Sequence, residues 1–223
     1  MSLIKHSALT VKFSRISIHS SLILLHNSLH LSNPKTDIKL VGDREVVRTG
    51  ESNLADYLTD AILWRTKADI ALTNGGGIRS SIDVGDITRG EVIQVLPFGN
   101  YVIVQELTGA DVIAALENGT AGYPSQHGAF SQVAGIKYSF DPSKPVGQRI
   151  VSVIMANGES IDKNKTYKVA TNDFIAAGGD LYVMFKGKKV IGNYEGLDEI
   201  LTAYIASGAK AKDGVDGRVK VIN

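Results

Sequence analysis

A glycine-rich stretch beside an arginine is the first part of this chain with the chemistry of a binding site. Residues 73–81 read TNGGGIRSS, and Arg79 follows the last of three glycines by two positions. Glycines allow close approach to backbone N–H groups, and a guanidinium binds phosphate or hydroxyl oxygens. The stretch lacks the Lys-Ser/Thr pair of a phosphate-binding P-loop, and Ser80 stands where a dinucleotide-binding fingerprint needs glycine. A tight turn without a ligand is an equally open interpretation.

Two phenylalanines add the chemistry of a stacking site. Phe98 lies in a PFGN stretch and Phe174 in an NDFIAAGGD stretch. A single phenylalanine is more often a core residue, but each of these lies beside a glycine turn and a hydrogen-bonding side chain. Each aromatic ring that stacks on a planar base contributes about 1–3 kcal/mol. Asn100 offers a donor and an acceptor to a base edge, and Asp180 can accept from two ribose hydroxyls. With the arginines, these residues indicate a nucleoside or nucleotide ligand.

The elements that position these residues follow from apolar periodicity. Apolar spacing predicts a helix over residues 52–65 with Ser52 as its N-cap, and another over residues 197–205 that stops at Gly208. Thr108 and Asp111 form the capping box of a further helix. Strands are predicted at residues 68–73, 101–107, 136–140, 150–155, 167–171 and 218–222. This order predicts a mixed α and β domain with several hairpins rather than a regular βαβ alternation.

Composition limits the classes of partner. The chain has 223 residues, 43% of them hydrophobic and 21% charged, with a net charge of +1 and no cysteine. This balance gives no support for a nucleic-acid partner or for membrane contact, and the absence of cysteine excludes disulfides and thiolate metal sites. A chain of this length can bury a full core within one domain.

The first 36 residues differ from the rest of the chain. They contain no Asp or Glu but four of the five histidines, and their longest apolar run is LILL, too short for a membrane span or signal-peptide core. We interpret residues 1–36 as an atypical N-terminal segment, either a disordered tail or a truncation remnant, although an organelle transit peptide has a similar composition. Residues 37–223 are predicted to form the folded domain.

Five motifs in this second part resemble the C-terminal, substrate-binding domain of the 5'-nucleotidase family. That family includes bacterial UDP-sugar hydrolases/5'-nucleotidases and animal ecto-5'-nucleotidases. The motifs occur in the family's order, and they are VRxxESN from Val47, NGGGIR from Asn74, PFGN from Pro97, GAF from Gly128 and NDFIAAGGD from Asn172. The resemblance implies a layered α/β/β/α domain with mixed sheets.

The resemblance also implies a substrate-binding site without catalytic residues or metal ligands. Its members are Arg48, Asn74, Arg79, Phe98, Asn100, Gly128, Phe174 and Asp180. In this interpretation the two phenylalanines clamp the base, Asn100 bonds the base edge and Asp180 binds the ribose hydroxyls. The arginines hold the ribose and phosphate end, while Asn74 and Gly128 line the pocket. The chain departs from the family at Leu181, where glycine is frequent, and at Gly50, where some members have an arginine.

The chemistry of the family belongs to an N-terminal metallophosphoesterase domain with two divalent metal ions. This sequence has none of the expected ligand patterns Asp-x-His, Gly-Asn-His-Asp/Glu or Gly-His-x-His, and His127 is the only histidine after residue 37. We therefore expect the chain to bind a nucleotide, to be inactive alone and to work with a metallophosphoesterase domain in cis or as a separate chain. A stand-alone, non-catalytic nucleoside-binding module is the alternative. The resemblance implies a periplasmic, cell-wall or extracellular location.

Overall fold

The computed structural model describes residues 34–222, which contain six α-helices, ten strands and three short 3₁₀ helices. The strands are β1 Lys35–Thr36, β2 Ile70–Asn74, β3 Gly85–Asp86, β4 Tyr101–Thr108, β5 Ser131–Ala134, β6 Ile136–Phe140, β7 Ile150–Met155, β8 Thr166–Asn172, β9 Val190–Gly196 and β10 Val219–Val221. The α-helices are α1 Arg44–Val47, α2 Asn53–Thr66, α3 Arg89–Val95, α4 Gly109–Thr120, α5 Asp173–Ala176 and α6 Leu197–Ala206. The 3₁₀ helices are Gly75–Gly77, Gly179–Leu181 and Val183–Phe185.

The strands form mixed sheets. A five-stranded sheet has the order β5-β2-β8-β4-β9, in which β2 and β8 are parallel and the other neighbours are antiparallel. A three-stranded sheet has the order β10-β6-β7, with β10 parallel to β6 and β7 antiparallel to it. Strands β1 and β3 form a separate antiparallel pair. The predicted mixed α/β fold with mixed sheets is confirmed.

The central part of the five-stranded sheet is buried on both faces, which explains the unbroken burial of β2. On one face, α2, α3 and α6 cover the inward-pointing residues of the central strands, such as Ala71, Val102 and Ala170. On the other face, α4 and the three-stranded sheet cover the alternate residues, such as Leu72 and Val169. Alternation along each strand therefore divides the core into two apolar clusters, one on each side of the sheet.

The helix caps confirm two of the sequence-based predictions. The side chain of Ser52 accepts a hydrogen bond from the N–H of Ala55 at 3.1 Å, and α2 begins at the next residue. At the start of α4, the Asp111 carboxylate accepts from the N–H of Thr108 at 3.0 Å, which completes a capping box. Strands β6 and β7 have the predicted bounds, and β2, β4, β8 and β10 differ from theirs by one or two residues at their ends.

The structure also contains elements that the sequence did not predict. Helix α3, strands β5 and β9, and the short β1–β3 pair are examples. Strand β1 begins two residues before the predicted domain boundary at residue 37 and ends directly before it. The interpretation of the N-terminal segment otherwise concerns residues 1–33, which lie outside the described residues.

Candidate functional site

Four loops meet at one edge of the five-stranded sheet. Strands β2 and β8 are parallel neighbours, so their last residues, Asn74 and Asn172, lie side by side. The Asn172 Nδ2 donates to Asn74 Oδ1 at 3.1 Å. Strands β4 and β5 are antiparallel to these two, so they begin at the same edge. The sheet thereby brings together the segments that carry the NGGGIR, PFGN, GAF and NDFIAAGGD motifs.

These loops surround a cavity of about 430 Å³. That volume is within the range of about 300–1,000 Å³ found for small-molecule sites. The lining residues are Arg48, Asn74, Gly76, Gly77, Phe98, Asn100, Gly128, Phe174 and Asp180. The structure therefore brings every predicted site residue except Arg79 to one cavity. Arg79 lies beside it, with its guanidinium carbon 5.8 Å from the centroid of the Phe98 ring.

The two phenylalanines are exposed, although large apolar side chains are normally buried. Phe98 is 60% exposed and Phe174 is 44% exposed. Phe98 lies on the turn between α3 and β4, where Gly99 adopts a φ of 64°. Phe174 lies in α5, and a Cβ added to Gly179 would come within 2.5 Å of its ring. Gly179 thus leaves the space that the Phe174 ring occupies, and both rings are available to a ligand in the cavity.

A chain of amides orients the carboxylate of Asp180. The Asn74 Nδ2 donates to Asp180 Oδ2 at 2.8 Å, and Asn172 in turn holds the Oδ1 of Asn74. Because an ionised carboxylate only accepts hydrogen bonds, the amino group of Asn74 must face it. Asn118 of α4 donates to the main-chain oxygen of Asp180 at 2.9 Å. Neither Asn118 nor Asn172 was predicted as a site residue, since an asparagine side chain carries no sequence signal of its tertiary partner.

Asn100 is oriented in a similar way by the residue before Phe174. Its Nδ2 donates to Asp173 Oδ1 at 2.7 Å, and the same oxygen accepts from the N–H of Phe174 at 2.9 Å. Asp173 therefore links the two aromatic loops. Because its amino group faces the carboxylate, Asn100 keeps its Oδ1 acceptor and its second N–H for other partners.

The side of the cavity that Arg48 lines is positively charged. Partial burial lowers the pKa of Arg48, and the charges of Arg44 and Arg79 lower it further, while Asp180 opposes them. The Arg48 Nε is buried without a hydrogen-bond partner among residues 34–222. Converging guanidinium groups with an unused donor suit an anionic ligand. Arg44 was not predicted, although its spacing of four residues from Arg48 was an available signal.

Two of the three glycines of NGGGIR have a different role from the predicted one. The N–H of Gly75 donates to Phe130 O and that of Gly76 to Gly128 O, both at 2.8 Å. A Cβ added to Gly75 would lie 1.8 Å from Val47 O. The prediction that this stretch offers free backbone N–H groups to a ligand is therefore wrong for Gly75 and Gly76. Their N–H groups and the space beside them serve neighbouring protein segments.

The described residues do not provide a metal centre. Within residues 34–222, no three His, Cys, Asp or Glu side chains lie together as possible metal ligands. His127 does not line the cavity, its N–H donates to Arg48 O at 3.1 Å, and its Nε2 is buried. These side chains therefore do not fit the pair of metal ions that the resemblance implies. No helix in this part of the chain is long and apolar enough to cross a membrane.

Comparison with known proteins agrees with the motifs. Residues 30–187 match the sequence model of the family described as 5'-nucleotidase, C-terminal domain. The chain belongs to this family. A crystal structure of a 5'-nucleotidase precursor from Thermus thermophilus superposes with a TM-score of 0.81 and 38% identity, over 92% of this chain and 42% of that one.

Two curated relatives are similar over most of this chain. It is 44% identical over 197 residues to the trifunctional nucleotide phosphoesterase protein YfkN of Bacillus subtilis, covering 84% of this chain and 14% of that protein. It is 37% identical over 172 residues to protein UshA of Escherichia coli, covering 77% of this chain and 30% of that protein. The chain thus spans less than a third of either relative.

Proposed function

We propose that this chain binds a nucleoside or nucleotide as the substrate-specificity domain of a 5'-nucleotidase. The base stacks between Phe98 and Phe174, with Asn100 at its edge. The observation that carries the proposal is that two exposed aromatic rings and the Asp180 carboxylate line a single cavity of about 430 Å³. Such a lining complements a nucleoside, whose base has planar, apolar faces and whose sugar is polar.

We infer the positions of the sugar and the phosphate from the charged residues around the cavity. The carboxylate of Asp180 accepts hydrogen bonds from the ribose hydroxyls, since its free lone pairs complement a diol. The 5'-phosphate lies towards Arg48, where Arg44 and Arg79 add positive charge. The partial burial of Arg48 strengthens its attraction for an anion, because a lower local dielectric reduces screening. Asn74 and Gly128 also line the cavity.

Hydrolysis of the bound nucleotide belongs, in this proposal, to a metallophosphoesterase domain that acts in cis or as a separate chain. Such a domain supplies two divalent metal ions, which polarise the phosphate and activate water. The described residues supply the binding half: they hold the base and sugar and present the phosphate. By the family resemblance, we assign the protein to the periplasm, the cell wall or the cell exterior.

Thermal unfolding with added ligands tests the binding proposal. A ligand at about 100 times its dissociation constant adds about 2.7 kcal/mol to the free energy of unfolding, which raises the Tm by about 5–10 °C for a domain of this size. We expect this shift with adenosine and AMP, with or without Mn²⁺. Replacing Phe98 or Phe174 with alanine should weaken adenosine binding about 5- to 150-fold, the equivalent of one lost stacking contact.

Tyr101→Ala is the matched control for the aromatic variants. Tyr101 is 58% exposed and lies three residues from Phe98, but it does not line the cavity, so its loss should leave the affinity for adenosine unchanged. The absence of a Tm shift with adenosine, AMP, ADP and UDP-glucose would overturn the binding proposal. Release of phosphate from AMP by this 223-residue protein alone would overturn the assignment of hydrolysis to another domain.

A further inference from the structure

The turn that carries Asp180 has an unusual backbone. Asp180 and Leu181 have φ values of 49° and 64°, so two consecutive residues with side chains adopt the left-handed conformation. Side chains disfavour this region because Cβ crowds the following carbonyl oxygen. Such a turn persists only when its surroundings hold it in place. Leu181 itself contributes little to this, since it is 72% exposed.

Contacts on three sides hold the turn. The carboxylate of Asp180 receives the amide of Asn74, and its main-chain oxygen receives the Nδ2 of Asn118 at 2.9 Å. The next anchor is Tyr182, which is fully buried and donates its hydroxyl to Ala129 O. Asn74 thus holds the side chain of Asp180, and Tyr182 anchors the chain directly after the left-handed pair. Asn118 is the contact that fixes the peptide between its two members.

We propose that Asn118 is a positioning residue that gives the site its preference for ribose over sugars without the 2'- and 3'-hydroxyls. This inference rests on the proposed nucleoside-binding function. The hydrogen bond to Asp180 O holds the left-handed turn, and the turn aims the carboxylate at the cavity. Without it, the backbone relaxes towards negative φ and the carboxylate loses its alignment with the diol. The base clamp remains, because Phe98 lies on another loop and Phe174 lies in α5, which precedes the turn and is capped by Asn172.

Helix α4 is suited to this positioning role because it is itself firmly held. The Glu117 carboxylate accepts from the N–H groups of Gly147, Arg149 and Ile150 at 3.1, 3.0 and 2.7 Å. Glu117 and Asn118 are adjacent on the helix but contact different segments. Glu117→Ala therefore provides a matched control, which disturbs the packing of the same helix without removing the hydrogen bond to the Asp180 turn.

The binding test compares adenosine with 2',3'-dideoxyadenosine by calorimetry, using the full chain. A hydrogen-bonded carboxylate gives wild type a preference of about 10- to 100-fold for adenosine. In Asn118→Ala we expect this preference to fall to about threefold or less, with the affinity for dideoxyadenosine unchanged. Asn118→Asp, which has the same size but no donor, should give the same result. Glu117→Ala should lower the Tm and keep the wild-type preference, and an unchanged preference in both Asn118 variants overturns the inference.

A second measurement separates this inference from the proposed function, because it needs no ligand. In the free protein, residues with positive φ give a strong nuclear Overhauser effect between their own N–H and Hα protons. We expect Asp180 and Leu181 to show this signal in wild type and Glu117→Ala and to lose it in Asn118→Ala. If wild type binds no nucleoside, the proposed function fails, and this signal alone decides the positioning role. Its persistence in Asn118→Ala overturns that role.

Discussion

Replacing Leu181, the residue after Asp180, with glycine should stabilise the protein. Leu181 has a φ of 64°, a conformation that glycine adopts without penalty. Its side chain is 72% exposed, so its removal gives up little buried apolar area. The family resemblance also places glycine at this position in many members. The substitution therefore tests whether the left-handed turn is strained in this chain.

The expected gain is the difference between two backbone terms. The left-handed conformation costs a residue with a side chain about 1–2 kcal/mol, and glycine removes this cost. Glycine also gives the unfolded chain more freedom, which offsets about 0.5–1 kcal/mol. The net increase in the free energy of unfolding is about 0.5–1 kcal/mol, or about 1–4 °C in Tm. Asparagine tolerates this conformation, so Leu181→Asn should also be more stable than wild type.

Urea and thermal unfolding of four proteins check this prediction: wild type, Leu181→Gly, Leu181→Asn and Leu181→Ala. Alanine removes the same exposed side chain but keeps the Cβ, and so keeps the strain. We expect alanine to give no gain. Equal stability of the glycine and alanine variants would refute the reasoning, because it would show that Cβ strain makes no contribution at this position.

Two further predictions concern the buried polar residues and the glycines. Burial outweighs the attraction of Arg218 and raises the pKa of Asp56 from 3.8 to about 8. The native state then holds a proton that the unfolded chain releases, so this group's stabilisation is full below pH 3.8 and declines as pH rises to about 8. The free energy of unfolding should fall by at most about 1.4 kcal/mol per pH unit in this range. Asp56→Asn should remove this pH dependence when the free energy of unfolding is measured by urea unfolding at several pH values. Parallel plots of that free energy against pH for wild type and Asp56→Asn would contradict the prediction. Gly75→Ala should lower the free energy of unfolding by about 3 kcal/mol or more through overpacking, and Gly77→Ala should lower it by less than about 1 kcal/mol. Equal losses of stability for the two variants in denaturant unfolding would argue against this ranking.

Local signals explain which elements of the fold were predictable. Helices α2 and α4 combine a cap with a long apolar stripe, and both were predicted from the sequence. Helix α3 also has a capping box, formed by Thr88 and Glu91, but its seven residues include Gly90 and only a short apolar stripe. Strand β9 reads VIGNYEG and lies at the edge of its sheet with most residues exposed, so the alternation of a half-buried strand is weak.

The candidate site was predictable where a motif supplied the residue and not where only the fold supplies the contact. Phe98 and Asp180 stand in recognisable motifs, and the structure places both at the cavity. Asn118 meets Asp180 across 62 positions of sequence, and nothing near it in the chain indicates that contact. The partnership depends on α4 packing against the same face of the sheet as the turn after α5. The local sequence does not indicate such a tertiary hydrogen bond from a short polar side chain to a distant main-chain oxygen.

The glycines after β2 shape the cavity by letting neighbouring segments pack closely against them. Gly75 accommodates the carbonyl of Val47, the residue before Arg48, and a Cβ added to Gly76 would lie 2.9 Å from Gly128 O. Both glycines also donate their N–H groups to the segment from Gly128 to Phe130. Close packing at these two glycines therefore determines the positions of Arg48 and Gly128 at the cavity. Because glycine has no side chain, the neighbouring main chain can approach this closely, and the packing fixes the width of the cavity.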